Sequence, residues 1–398
     1  MIKYLVINNF KSIERLSLTF GKFNCLIGMN GAGKSTLLQA IDFISRQMSG
    51  AIDDWLTGRG WEAKDLSCKL SHTSNVLFML GIELPGGDLV TWVARFNRNE
   101  LRCTNEYFVK GAISEKDRIF SSDGQHYWSS EYPKREINFK YQGSILSQLK
   151  DSELPELLVA FRNSIRRIKS LELLSPHLLR KRARSGETDI GAGGEKLSAY
   201  LHGIKGEPRQ ALIKLLQQFY PALVDFKVSN MRAGWKRLSI IEQYGAQKLE
   251  TDSSHINDGL LRILAVLAQT QSDRAMVLLD EVENGINPEI VEKLVNVLAE
   301  APQQIVVTTH SPMILNYLDD RLATEAVQFV YKSPQGLTNV RRFFEIPRIK
   351  DKLQYMGPGE AFVDTNLIEL TAECVAEDVA AAAATARELA RKTGADVA

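Results

Sequence analysis

Apolar positions along this chain keep two rhythms, and the switches between them outline its elements. Residues 1–49 predict strand (IKYLVI), turn, strand (LSLTF), strand (FNCLI), loop and helix, the helix carrying Leu37, Leu38, Ile41 and Ile44 on one side. From about 70 to 141 the apolar residues alternate in short runs, VLFMLGIEL, LVTWVARFN and NEYFVK, broken by PGGD, NRNE and SSDG. Such runs predict antiparallel strands and hairpins. Helical spacing takes over between about 145 and 220, in SILSQLKDSELPELLVAFRNSIRRIKSLELLSPHLL and EPRQALIKLLQQF. The Gly-rich break SGETDIGAGGE between them reads as a mobile loop. Next come strands DFKVSNM and RLSIIEQY, then helix GLLRILAVLAQ, strand AMVLLD, helix PEIVEKLVNVLAE and strand QQIVVTTH. This alternation predicts an α/β fold with a mostly parallel sheet covered by helices. A strand-like NVRRFFEI and an Ala-rich helical stretch, ECVAEDVAAAAATARELARK, follow. No fixed-period repeat and no long heptad run appears.

Length and charge narrow the class. The chain has 398 residues, enough for two to three units at about 150 residues each. Its net charge of +1 gives no overall attraction to a polyanion, so a nucleic-acid contact would need a local patch. Cys25, Cys68, Cys103 and Cys374 are too scattered for a metal knuckle or disulfide scaffold, which suits a reducing cytosol. MIKYLVINNF lacks a signal-type apolar core, and no window reaches the roughly 18 apolar residues that span a bilayer. The expectation is a soluble cytoplasmic protein with no membrane contact.

Candidate chemistry starts at residues 28–35, GMNGAGKS, with the G-x-x-x-x-G-K-S spacing of a phosphate-binding loop. Gly28, Gly31 and Gly33 permit positive φ, so backbone N–H groups of Asn30, Gly31, Ala32 and Gly33 can turn toward a polyphosphate at the start of the next helix. Lys34 would reach the β/γ-phosphates and Ser35 would ligate Mg²⁺. AMVLLDE ends an apolar strand in two carboxylates, a Walker B arrangement: Asp280 for Mg²⁺, Glu281 to polarise the attacking water. QQIVVTTHSP ends the next strand at His310, placed to sense the γ-phosphate. In SHINDGLLRILAVL, Asn257, Asp258 and Gly259 form a helix N-cap whose positive end also suits an anion.

GMNGAGKS, INDGLLR, VLLDEVENGINP and TTHSP, in that order and with a long insertion after the first, resemble the ATP-binding-cassette ATPases of the RecF/SMC type. Within them the chain resembles the single-chain AAA-type ATPases of bacterial anti-phage and overcoming-lysogenization-defect-like systems. The opening LVINNFKSIERLSL is similar to that family's N-terminal strand and turn, and LSAYLHGIK and MGPGEAF are weaker markers of the subgroup. The resemblance implies a P-loop ABC-type head, a mixed sheet flanked by helices, at 1–50 and 190–345. An inserted antiparallel-strand and helical lobe would occupy 51–189, and a helical extension 346–398. It further implies ATP and Mg²⁺ as cofactors, Thr36 at the α-phosphate, Lys11 and Ser12 touching the nucleotide, and His310 as a switch. Asn257, Asp258 and Gly259 would complete a second subunit's site, so that two heads sandwich two ATP in a homodimer or higher oligomer, with Asn284 to Pro288 crossing the interface. The signature usually begins with Ser, which Asn257 replaces here. Gln142 and Gln148 are both candidates for the glutamine loop.

No acidic cluster in the last 50 or so residues resembles a nuclease centre, so destructive chemistry would belong to a partner effector, a nuclease or toxin. From 162 to 184 the chain holds eight Lys/Arg against the single acid Glu172, a stretch for DNA, RNA or an acidic partner, or merely a solvated face. Two functions follow: an ATPase gating an effector in phage defence, or a DNA-clamping ATPase in repair and maintenance. A transporter ATPase fits poorly with the VINNFKSI start and the long interval from Lys34 to Asp280.

Overall fold

The computed structural model describes residues 1–111, 115–184 and 189–393, with side chains as far as Thr385 in the last helix. The first third runs β1 (Ile2–Phe10), β2 (Ile13–Thr19), β3 (Phe23–Ile27), α1 (Lys34–Ser49), α2 (Ile52–Arg59), β4 (Asn75–Glu83), β5 (Leu89–Asn97), β6 (Arg102–Lys110), β7 (Arg118–Ser122), β8 (His126–Ser129) and β9 (Arg135–Glu136). The middle holds α3 (Glu156–Arg166), β10 (Ile168–Ser170), α4 (Pro176–Leu179), β11 (Ala183–Arg184), α5 (Leu197–Gly203), α6 (Gly206–Phe219), β12 (Leu223–Asn230), β13 (Trp235–Tyr244) and β14 (Gln247–Asp252). Then come α7 (Asp258–Thr270), β15 (Met276–Leu279), α8 (Pro288–Glu300), β16 (Gln304–Thr308), α9 (Pro312–Asn316), α10 (Asp320–Ala326), β17 (Val327–Lys332) and β18 (Thr338–Arg342). Three helices follow, α11 (Pro347–Lys352), α12 (Pro358–Val363) and α13 (Leu367–Thr393).

Three sheets result. One has the order β2-β1-β4-β5-β6-β7-β8-β9, another β10-β15-β16-β3-β17-β18, and the third groups β11, β12 and β14 around β13. In the second sheet every neighbouring pair is parallel except β17 with β18. Its central strands FNCLI, MVLL and QIVVT are buried at every residue, as a sheet covered on both faces requires. One core packs that sheet against α5, α6, α7 and α8. The other lies between α1 and the antiparallel sheet, where Phe43 contacts Phe10, Phe78, Phe96 and Trp55. Gln304 joins the two sheets, its Oε1 accepting the Ile2 N–H (2.9 Å) and its Nε2 donating to the carbonyls of Ile2 (2.8 Å) and Gly21 (2.7 Å).

The strands of the 51–189 interval extend β1 and β2 in one continuous sheet, paired through β1 and β4. Helical spacing across 144–179 is also overridden in part: residues 168–170 form β10, paired parallel with Met276–Leu278. An open edge beside a fully buried strand outweighs local helical preference there. Residues 185–188 of the Gly-rich break lie outside the described residues. The rest of that break is packed: Ile190 is buried, and Asp189 pairs with Lys169 and Arg274. At the other end, α13 docks through Asp378, which accepts from Tyr331 Oη (2.6 Å) and pairs with Arg341.

Candidate functional site

In the parallel sheet, Thr308 is level with Leu26 and Leu279 with Val307, so β3, β15 and β16 deliver their following loops to one edge. That carboxyl edge is where open α/β sheets hold ligands. The loop after β3 has Gly28 at φ 145°, Gly31 at 76° and Gly33 at 111°. A Cβ on Gly28 would sit 2.1 Å from the Val330 carbonyl oxygen, and one on Gly33 2.2 Å from Thr338 Oγ1. Glycine is therefore required on two counts, backbone angle and close approach. Thr338 Oγ1 also donates to the Ala32 carbonyl (3.1 Å), clamping the loop from β18. Asn30 and Gly31 stand exposed at its tip. Lys34 folds back so that Nζ donates to the carbonyls of Gly28 (2.9 Å) and Met29 (3.1 Å). Burial pushes its pKa down, against the pull of Asp280, Glu281 and Glu283.

Carboxylates line the adjoining loop. Ser35 Oγ donates to Asp280 Oδ2 at 2.9 Å, and Thr308 Oγ1 donates to Oδ1 of the same group. Thr308 Oγ1 in turn accepts the Glu281 N–H at 2.8 Å. Glu281 sits at φ 46°, a left-handed conformation that a non-glycine residue adopts only under such restraint. Asn284 Nδ2 donates to Glu281 Oε2 (3.1 Å), and His310 Nε2 lies 3.9 Å from its Oε1. The other ring nitrogen, Nδ1, is 3.4 Å from Lys34 Nζ. Glu283 Oε1 accepts from Thr309 Oγ1 (2.9 Å) and from the N–H groups of His310 (2.9 Å) and Ser311 (3.2 Å), fixing the His310 segment. From α7, Arg262 reaches the Asp280 carbonyl at 3.4 Å.

Beside the loop opens a cleft of about 610 Å³ lined by Lys11, Ser12, Thr36, Trp61, Asp65 and Lys69 among others. Lys11 lies 3.3 Å over the Trp61 ring and donates to Gln39 Oε1 at 2.8 Å. Burial, with Arg59 adding, brings its pKa down to about 8. Ser12 Oγ hydrogen-bonds Thr338 Oγ1 at 2.8 Å.

The fold thus brings Lys34, Ser35, Asp280, Glu281 and His310 together, and Lys11, Ser12 and Thr36 into one neighbouring cleft. Asn257 caps α7, accepting the Leu260 N–H at 2.8 Å, and Gly259 packs against the Gly285 carbonyl, which a Cβ would approach to 2.9 Å. Among the described residues no hydrogen bond links Asn257, Asp258 or Gly259 to the phosphate loop. Neither glutamine candidate reaches the site: Gln142 Oε1 accepts the Asp53 N–H at 3.0 Å, and both glutamines line a separate cleft with Arg102 and Tyr141. They precede α3, whereas the strand beside β15 is β10, which is followed instead by Glu172. Burial raises the Glu172 pKa to about 7, against the pull of Arg59. Thr308, Glu283, Arg262 and Thr338 complete the site without any motif to announce them; the doubled threonine before His310 was the visible trace.

Hard oxygen donors at Ser35 and Asp280 fit Mg²⁺, which would neutralise phosphate charge when bound. Among the described residues no cluster of three or more His, Cys, Asp or Glu could hold a metal ion.

The family profile described as "AAA ATPase domain" matches residues 1–157, and that described as "AAA domain, putative AbiEii toxin, Type IV TA system" matches residues 144–316. An OLD nuclease of Thermus scotoductus is 43% identical over 44 residues, 11% of this chain and 8% of that protein's length. Among solved structures, an SMC head bound to the C-terminal winged-helix domain of ScpA aligns over 85% of this chain and 96% of its own, at TM-score 0.51 and 15% identity. A Pyrococcus furiosus Smc head domain with an extended coiled coil, bound to the C-terminal domain of ScpA, aligns over 89% and 99%, at 0.50 and 12%. The two profiles together span residues 1–316, and with the SMC-head fold they support an ABC/SMC-type ATPase of the AbiEii/OLD kind.

Proposed function

We propose that the chain binds MgATP across the phosphate loop and the Lys11 cleft, hydrolyses it to ADP and phosphate, and uses head dimerisation to gate an effector protein, in phage defence. The observation that carries hydrolysis is the placement of Glu281: its backbone is held by Thr308 and its carboxylate faces Asn284 and His310, beside the Lys34 ammonium. In this reading Glu281 takes the proton of the attacking water, and Lys34 and His310 stabilise charge on the γ-phosphate. Asn257, Asp258 and Gly259 serve the opposite head. The effector reading draws on ScpA bound to the SMC heads and on the short OLD nuclease match. Four free, buried cysteines suit a cytoplasmic setting.

Glu281→Gln is expected to bind MgATP normally and turn over at least about a hundredfold slower, since general-base assistance is typically worth 10²–10⁴. Lys34→Ala should fail at binding. Nucleotide affinity and single-turnover hydrolysis separate the two steps, and wild-type hydrolysis by Glu281→Gln removes Glu281 from the base role.

A further inference from the structure

The cationic run from 162 to 184 is divided by the fold. Arg162 is buried against the carbonyls of Leu146 (2.8 Å) and Leu149 (2.6 Å), Arg166 donates to the Met48 carbonyl (2.7 Å), and Lys169 is buried against Asp189. These groups are structural. Farther along, Lys181, Arg182 and Arg184 stand exposed, none with an ion pair among the described residues. They line a groove of about 540 Å³ with Lys196, Trp235 and the acid Glu195. Trp235 is 39% exposed, and the Arg184 guanidinium lies 5.3 Å from its ring centroid. Pairing of β11 with β13 sets Arg184 level with Trp235.

We infer that this groove binds single-stranded nucleic acid, with Arg182 and Arg184 on backbone phosphates and a base stacked at Trp235. An excess of cations around one exposed indole is the chemistry of a strand that presents phosphates and π-faces alternately; an acidic protein face would use the charge but not the ring. The groove is also wired to the signature cap. Arg180, immediately before it, donates to the Ile256 carbonyl (2.6 Å) and pairs with Asp258, while its own carbonyl accepts from Ser253 Oγ (3.3 Å). A strand that orders 181–184 therefore orders the cap of α7. This surface does not depend on ATP turnover, so its test needs no nucleotide.

Anisotropy of a fluorescein-labelled oligo-dT with the full chain is the first measurement. Log affinity should fall linearly with log salt, at about −0.7 per phosphate contact on a single strand. Arg182→Ala with Arg184→Ala should make that slope shallower by about 1.4. Trp235→Leu, which keeps apolar volume, should retain the slope and weaken binding about five- to a hundredfold. Amide exchange at 257–261 should slow when oligo-dT binds, and Arg180→Ala should abolish the slowing without loss of oligo affinity. Absence of oligo binding, or wild-type slope and affinity in both groove variants, overturns the proposal. So does loss of poly-glutamate binding in the double variant while oligo-dT binding persists, which would assign the groove to an acidic protein. Unchanged amide exchange overturns the link to the cap.

Discussion

Lys11 is a side chain whose charge state the fold has moved into the working pH range. An ordinary lysine loses its proton near 10.4; burial brings this one to about 8. Below pH 8 it is a cation facing the cleft, and above it is neutral. ATP affinity is therefore expected to fall between about pH 7.5 and 9.5, and Lys11→Met should flatten that part of the curve; an identical fall in the variant would place the titration elsewhere. For the free protein the sign reverses. Between about pH 8 and 10.4 the unfolded chain holds more protons than the folded one, so this group lets stability rise with pH across that window. Side chains with dedicated motifs, Lys34, Ser35, Asp280 and Glu281, were legible in the sequence because phosphate and metal chemistry demand fixed spacings. Glu283 and Thr308 were not. Their work is to hold backbone of a neighbouring strand, and that depends on register rather than on spacing within one segment.

Buried parallel strands announce themselves, as FNCLI, MVLL and QIVVT do, because both faces are covered and the apolar run is unbroken. Short edge strands do not. Ile168–Ser170 lies inside a helical pattern and becomes strand only because Met276–Leu278 offers unpaired backbone beside it. VQFVYK, all buried but its last residue, carries no motif of its own although it walls the phosphate loop. The Ala-rich α13 shows how a helix of weak amphipathicity is seated by polar contacts: Arg341 pairs with Glu377 and Asp378 and donates to the Cys374 carbonyl at 3.2 Å. Partly exposed pairs of this kind contribute about 1 kcal/mol at most. Arg341→Ala should accordingly speed amide exchange in the 367–378 part of α13 by about fivefold while exchange in β15 and β16 stays unchanged. Equal acceleration in those central strands would mean that Arg341 supports the whole head.

At the scale of the molecule, the cap at Asn257 and the phosphate loop belong to one chain, no hydrogen bond joining them among the described residues, and completion by a second chain is the arrangement proposed. Mixing Lys34→Ala with Gly259→Asp checks it. In a mixed dimer one composite site keeps both intact halves, so partial recovery of hydrolysis is expected; a mixture as inactive as either parent, with heterodimers demonstrably present, excludes completion in trans. The walls of the phosphate loop carry a further consequence, for biosynthesis. Gly28 rests on Val330 and Gly33 on Thr338, so the loop is emitted by the ribosome about three hundred residues before its supports. At roughly 5–20 residues per second, that leaves it unbraced for about 15 to 60 s. During this interval a nascent chain would carry an intact GMNGAGKS in an unbraced loop, and messages cut short before codon 338 would yield no partially active head.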